Sequence, residues 1–423
     1  MPPRTNPRSA RSSRIPLLLV PLLLVPAACG DPTGPGRVDE ITELPRQLTA
    51  GELELIAAGN RFAFDLLHQA STPDSNLFLS PVSASMALGM AMNGTAGETF
   101  DQMRSALGFG DLPLEDINAS YRSLIDLLLG LDASVEMAVG NSVWSRTGFP
   151  VLPSFLDTVE EYFDAEAAEL DFSSPQAPER INRWVSDATR GRIEEIVPSP
   201  IPPEAVMYLI NAIYFKGTWT FQFDPKDTQD APFHLADGST RPTRLMKLTG
   251  GLPYHATERF QAVDLPYGGK AFSMTVLLPA EGVEVEELVA SLDDEAWGDL
   301  TGRFADANGT LWLPRFRMSY ERTLNEDLEA LGMTDAFDDQ RADFSRLSPA
   351  DGLYISKVLQ KSWVAVDEEG TEAAAATSVE IGVTSVGGGS FQMRVDRPFL
   401  FALRERLSGT ILFVGKVVTP PEE

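Results

Sequence analysis

Hydrophobic periodicity changes character once along this chain, and that change limits the fold more than any other feature. Residues 51–69 place Leu53, Ile56, Ala57, Phe62, Phe64 and Leu67 at helical spacing. Residues 80–92 are small and apolar, with Ser80-Pro81 as a start signal. Residues 99–107 and 124–131 read as further helices, and 181–197 as a surface helix ending near Gly191. Beyond them the pattern turns to strands at 208–215, 272–278, 310–316, 353–358, 362–366, 399–403 and 411–417. Helices first and strands later predict an α+β fold with segregated layers. The short gaps predict one large domain over 51–423, with no internal repeat.

Charge narrows the function. The chain has 34 Lys and Arg against 61 Asp and Glu, a net charge of −27. Nucleic acid and heparin-like polyanions are therefore excluded as expected partners, because both need clustered cations. A single cysteine excludes an internal disulfide framework and a cysteine zinc site. His68, His234 and His255 are scattered, so no metal or other cofactor is expected. No G-x-S-x-G, H-E-x-x-H, Walker or dinucleotide loop is present. Glu368-Glu369 are adjacent on an expected strand, where they would face opposite sides and could not share a proton. The sequons at Asn93, Asn118 and Asn308 read as turn residues.

The first residues read as an address. Arg4, Arg8, Arg11 and Arg14 precede an apolar run at 15–25, too short to span a bilayer and suited to a signal h-region. Ala27-Ala28 then precede Cys29. This junction resembles a bacterial lipoprotein signal, with residues 1–28 removed and Cys29 lipidated. It departs from that motif at Pro26, where an aliphatic residue is usual. An ordinary secretory signal with an incidental cysteine is the alternative. Lipidation would tether the protein to a membrane at the cell surface or in the periplasm; without it the protein would be secreted. Residues 29–50 read as a linker.

The most informative stretch is VDEEGTEAAAATSVEIGVTSVGGGSFQMRVDRP, 366–398. Alternate residues Thr371, Ala373, Ala375, Thr377, Val379, Ile381 and Val383 are uncharged and grow more apolar. The other parity carries Glu372 and Glu380. That is the period of a half-buried strand. The stretch nonetheless starts at Gly370 and ends in Gly387–Gly389, and its four alanines lack a resident strand's bulk. It reads as a latent strand, small enough at its leading end to enter a closed sheet. A mobile Ala/Gly-rich linker or an alanine helix suits the same residues.

This stretch resembles the hinge and reactive-centre loop of the serpins, the serine-protease inhibitors. Four further motifs are similar in the family's order: NLFLSPVSASMALGMAMNGTAGETFDQM (76–103), INRWVSDATRGRIEEIV (181–197), LINAIYFKGTWTFQF (209–223) and DRPFLFALRERLSGTILFVGKVVTP (396–420). The resemblance runs from about residue 52 to 419. It implies one domain of about three sheets and eight or nine helices, with an exposed loop at about 367–395. It implies an inhibitor and not an enzyme. A protease cuts the loop, is held as an acyl-enzyme, and is trapped when the loop inserts into the main sheet; serpin insertion is itself a standard example of strand addition and released strain. A monomer that forms a covalent complex with its target protease is implied.

By position, Glu369, Gly370, Thr371, Glu372 and Ala373, Ala374, Ala375 and Ala376 match the hinge. Ser80, Ser83 and Asn211 match the shutter beneath the sheet, and Trp219 and Lys361 fall near its first opening. The family often has His before that lysine; here it is Gln360, whose amide also donates and accepts. Counting from the hinge puts the scissile bond at Thr384-Ser385. Counting back from Asp396-Arg397-Pro398 moves it toward Gly387, and Val383 and Val386 are alternatives. No Arg, Lys or Phe lies between residues 371 and 390, so an elastase- or subtilisin-like protease with a small S1 pocket is the expected target. A non-inhibitory binding protein and an unrecognised hydrolase are the competing classes. Digestion with such a protease should release a C-terminal peptide beginning at Ser385. Mass spectrometry reads its start directly, and a start at Gly388 would favour the count from Pro398.

Overall fold

The computed structural model describes residues 39–371 and 390–421. Among them lie nine α-helices and two hydrogen-bonded sheets. The six-stranded sheet runs, edge to edge, Phe316–Thr323, Leu359–Val366, Gly370–Thr371, Met207–Thr218, Val135–Arg146 and Glu166–Leu170. The nine-stranded sheet consists of two parts joined through the long strand Thr240–Ala256. Only Tyr254, His255 and Ala256 of that strand pair with Phe260–Pro266, while residues 245–254 pair with Ala305–Pro314. The long strand thus joins two groups of strands into one hydrogen-bonded sheet.

The first long helix, Ala50–Ala70, starts where local chemistry says it should. Thr49 accepts from the Glu52 N–H at 3.1 Å, and Glu52 accepts from the Thr49 N–H at 2.7 Å, a reciprocal cap. Residues 39–49, within the stretch read as a linker, are fastened to the body. The Ile41 N–H donates to the Gly269 carbonyl at 2.7 Å, and Lys270 pairs with Glu40 at 2.8 Å. The next helix, Pro81–Met92, has Ser80 as cap and proline in its first turn.

Two boundaries differ from the sequence reading. The expected surface helix starts earlier and stops sooner, at Gln176–Ala188. Arg190 and Gly191 both take positive φ, 53° and 79°, which ends the helical path. Residues 353–358, read as a strand, join neither sheet. Their polar groups are claimed elsewhere: Asn325 donates to the Ser356 carbonyl and accepts from the Val358 N–H at 2.8 Å, and the Ile355 N–H donates to Ala336. An apolar run with those anchors has no free edge to offer a ladder.

The main core lies between the helices and both sheets. A second, smaller core lies on the outer face of the six-stranded sheet. There helix Gln176–Ala188 and the segment after it bury Ile181, Val185, Ile193 and Val197 against Trp144 and Ile210.

Glu52 is fully buried. Burial alone would raise its pKa. Hydrogen bonds from Arg46, the Thr49 N–H and Ser123, with the charge of Arg46, outweigh that and hold it at about 2. Its folded pKa lies below its ordinary value, so its contribution to stability is complete above about pH 4.5 and is lost as pH falls toward 2. Glu52→Gln should therefore destabilise the protein by about 1–2 kcal/mol at pH 7. In thermal melts the gap from the parent should close as pH drops through that window.

Candidate functional site: the opening of the six-stranded sheet

The strands Met207–Thr218 and Leu359–Val366 are parallel to each other, because Gly370–Thr371 is antiparallel to both. Val366 pairs with Thr371, and Thr371 with Gly217. Among the described residues no ladder joins the two longer strands below Thr371. Among the described residues, the facing edges of these strands below Thr371 (the gap) therefore run in the direction that an antiparallel strand continuing from Thr371 would pair with, and Thr371 stands at their head.

The turn 367–369 feeds that position. Glu368-Glu369 were expected on a strand; instead they sit in this turn, because Asp367 closes it. The Asp367 N–H donates to the Gly370 carbonyl, and its carboxylate accepts from the Glu369 and Gly370 N–H groups at 3.0 and 3.2 Å. Burial pushes the Asp367 pKa up, while those N–H groups and Arg315 pull it back. Glu368 is buried, accepts from Thr228 at 2.8 Å and pairs with Arg315 at 3.6 Å. Glu369 keeps one buried carboxylate oxygen without a partner among the described residues.

Trp219 locks the turn from the other side. Its backbone N–H donates to the Glu369 carbonyl at 2.8 Å, and its indole N–H to the Asp367 carbonyl at 2.9 Å. Its ring stacks on Tyr267, centroids 4.4 Å apart and 15° from parallel. The Tyr267 hydroxyl shares a 2.6 Å hydrogen bond with Thr371, whose side chain is therefore inward and buried. Burial pushes the Tyr267 phenol well above its ordinary pKa, so it stays a neutral partner. Glycine is required on both sides of this contact. A Cβ on Gly370 would lie 2.0 Å from the Gly217 carbonyl, and one on Gly217 would lie 2.6 Å from the Tyr267 ring.

Lower down the same strands lies a second cluster. Ser80 donates its hydroxyl to the Leu412 carbonyl at 2.9 Å. Gln360 meets the Ser80 backbone twice: its carbonyl accepts from the N–H at 3.2 Å, and its amide donates to the C=O at 2.7 Å. Ser362 donates to the Phe78 carbonyl. Ser83 is buried and donates its N–H to the Ser80 hydroxyl at 3.4 Å. Asn211 donates to Asn141 at 2.7 Å, and Asn141 to the Phe163 carbonyl at 2.7 Å, which ties the sheet to the end of helix Pro153–Phe163.

The structure thus brings Ser80, Ser83 and Gln360 together, with Asn211 across the sheet, and places Trp219 with Glu369, Gly370 and Thr371. It separates Lys361 from Trp219. Lys361 lies five residues down its strand from Val366, on the outer face, paired with Glu321 at 2.9 Å. Glu372, Ala373 to Ala376, Thr384, Ser385 and Cys29 lie outside the described residues. Sequence reasoning missed Tyr267, Arg315, Thr228 and Asn141, which come from distant segments. It dismissed Glu368, although an acid two residues before the hinge glycine was a signal that could have been followed.

Comparison with known proteins agrees with this geometry. The family model described as Serpin (serine protease inhibitor) matches residues 57–420. The leukocyte elastase inhibitor of Sus scrofa is 36% identical over 87% of this chain and all of its own length. A serpin-like protein of Thermococcus kodakarensis is 33% identical over 88% of this chain and 87% of its own. Among solved structures, the thermophilic serpin tengpin in its native state superposes with a TM-score of 0.80 at 30% identity, covering 90% of this chain and 97% of that one. Thyroxine-binding globulin in complex with thyroxine superposes at 0.78 and 28% identity, covering 87% of this chain and all of that one.

Gln360→Leu removes both bonds to Ser80 and leaves a buried N–H and C=O unpaired. It should cost about 2–4 kcal/mol and lower the thermal midpoint, whereas Gln360→His should retain part of that stability.

Proposed function

Because the chain belongs to the serpin family, we propose that it traps serine proteases irreversibly, by loop cleavage, acyl-enzyme formation and insertion of the cut loop into the six-stranded sheet. The observation that carries this reading is the gap headed by Thr371. An antiparallel strand continuing below that residue would pair with Met207–Thr218 on one side and Leu359–Val366 on the other. Each added backbone bond contributes about 0.5–1.5 kcal/mol net. Covering Val379, Ile381 and Val383 would add about 1.5–3 kcal/mol for each fully buried side chain.

Phe391–Arg394 is held in parallel register with Ala305–Pro314, in the nine-stranded sheet, while Thr371 is held in the six-stranded one. Nineteen residues separate Thr371 from Phe391. Proteolysis between the two anchors would free the arm that continues from Thr371 while Phe391–Arg394 stays in place.

The small residues of the loop favour an elastase- or subtilisin-like target with Thr384-Ser385 as the scissile bond. Relatives named as leukocyte elastase inhibitors support that preference. We further assign residues 1–28 to an export signal and Cys29 to lipid attachment. This places a monomeric inhibitor at a membrane surface outside the cytoplasm. A second reading, a non-inhibitory binding protein, has the likeness to thyroxine-binding globulin in its favour.

Incubation with pancreatic elastase and with subtilisin separates the two readings. An inhibitor gives a covalent complex that survives boiling in detergent; a binding protein gives only cleaved chain. Thr371 is buried against Tyr267, so Thr371→Arg would bury an unpaired cation at the head of the gap. That variant should still be cut but form no covalent complex. Trapping at parental efficiency would exclude the insertion mechanism.

A further inference from the structure

The segment after helix Gln176–Ala188 is fastened to one side of the gap. Thr189 caps the helix, donating to the Val185 carbonyl at 2.8 Å and accepting from the Ile193 N–H at 3.0 Å. Asn182 accepts from the Ile196 and Val197 N–H groups, both at 2.9 Å, and donates to the Val197 carbonyl at 2.8 Å. Ile193 and Val197 pack with Trp144 and Ile210, from the strands Val135–Arg146 and Met207–Thr218. Arg190 pairs with Glu136 at 3.1 Å, on the Val135–Arg146 strand.

From this anchored segment Arg192 reaches the other side. Its guanidinium carbon lies 4.5 Å from the ring centre of Trp363, on the strand Leu359–Val366. Trp363 alternates with the inward Gln360, Ser362 and Val364 and so stands on the outer face. The register that puts Val366 level with Thr371 and Gly217 puts Trp363 level with Tyr214. A strand growing downward from Thr371 reaches that level three residues on.

We propose that Arg192 and Trp363 form a clasp across the sheet opening, and that Arg192 is a positioning residue setting how readily a strand enters below Thr371. The inference rests on the insertion mechanism above. A cation over an indole face attracts within about 6 Å of its centre, and this contact links two strands that share no ladder below Thr371 among the described residues. A strand growing past the Tyr214 level would run beneath this bridge, and its outward side chains would have to lift Arg192 off the ring. The clasp therefore resists opening and slows entry.

The test uses a fluorescent synthetic peptide with the sequence of residues 371–383, TEAAAATSVEIGV, added in excess to the intact protein, with its rate of annealing followed by anisotropy. Arg192→Gln, which keeps length and loses charge, should anneal it about 2- to 5-fold faster, the range an exposed cation–π contact supports. Trp363→Leu should do the same. Arg192→Lys and Trp363→Phe keep a cation and a ring and should stay within about twofold of the parent. Arg192 is exposed, so its variants should leave the fold intact. If Arg192→Gln anneals the peptide at the parental rate, or Arg192→Lys is as fast as Arg192→Gln, the clasp is wrong while insertion stands. If the peptide enters neither the parent nor any variant, the insertion mechanism fails and the clasp fails with it.

Discussion

A two-residue strand holds two long ones apart, and the behaviour of the molecule follows from that. Gly370 and Thr371 occupy the head of the space between Met207–Thr218 and Leu359–Val366. Strand edges carry unpaired donors and acceptors, and such edges pair with whatever strand is offered. Here the strand with the right direction and register is the one that continues from Thr371. The chain is thus both the plug at the top of the gap and the source of the strand that would fill it.

The plug is held by interactions of different kinds acting on a few atoms. Trp219 contributes two hydrogen bonds to the turn and a stacked face to Tyr267. Glu368 contributes a buried charge matched by Arg315 and Thr228. A buried ion pair is a poor source of net stability but a strong penalty against losing one partner, which suits a contact that must hold one geometry. Below it, Gln360 performs the two-way bonding to Ser80 for which the family often uses histidine. An amide does this without a proton that titrates near neutral pH, so this bond does not depend on pH in that range.

The same arrangement links proteolysis to motion. Phe391–Arg394 is anchored in one sheet and Thr371 in the other. In the proposed mechanism, cutting between them would free the arm that continues from Thr371 without disturbing either anchor, and the cover on the outer face would set how fast the sheet opens. Helix Gln176–Ala188 and its following segment lie across the strands on one side of the gap, and Arg192 extends that cover to Trp363.

Local sequence alone determined the start signal at Ser80-Pro81, the periodicity of the first helix and of the C-terminal strands, and the identity of Gly370 and Thr371 as the entry to an uncharged alternating run. These depend on neighbours a few residues apart, which the chain displays directly. Tertiary structure decided the rest. Residues 353–358 look like a strand but are drawn off by Asn325 and Ala336. Glu368 reads as one of two strand acids facing opposite sides until Arg315 and Thr228, from elsewhere in the chain, hold it in the turn. Lys361 looks like part of the opening until strand register places it far down the outer face. The pairing of distant segments is set by how two sheets and a helix layer fill one core, and no local pattern encodes which far-off side chain will meet a given buried charge.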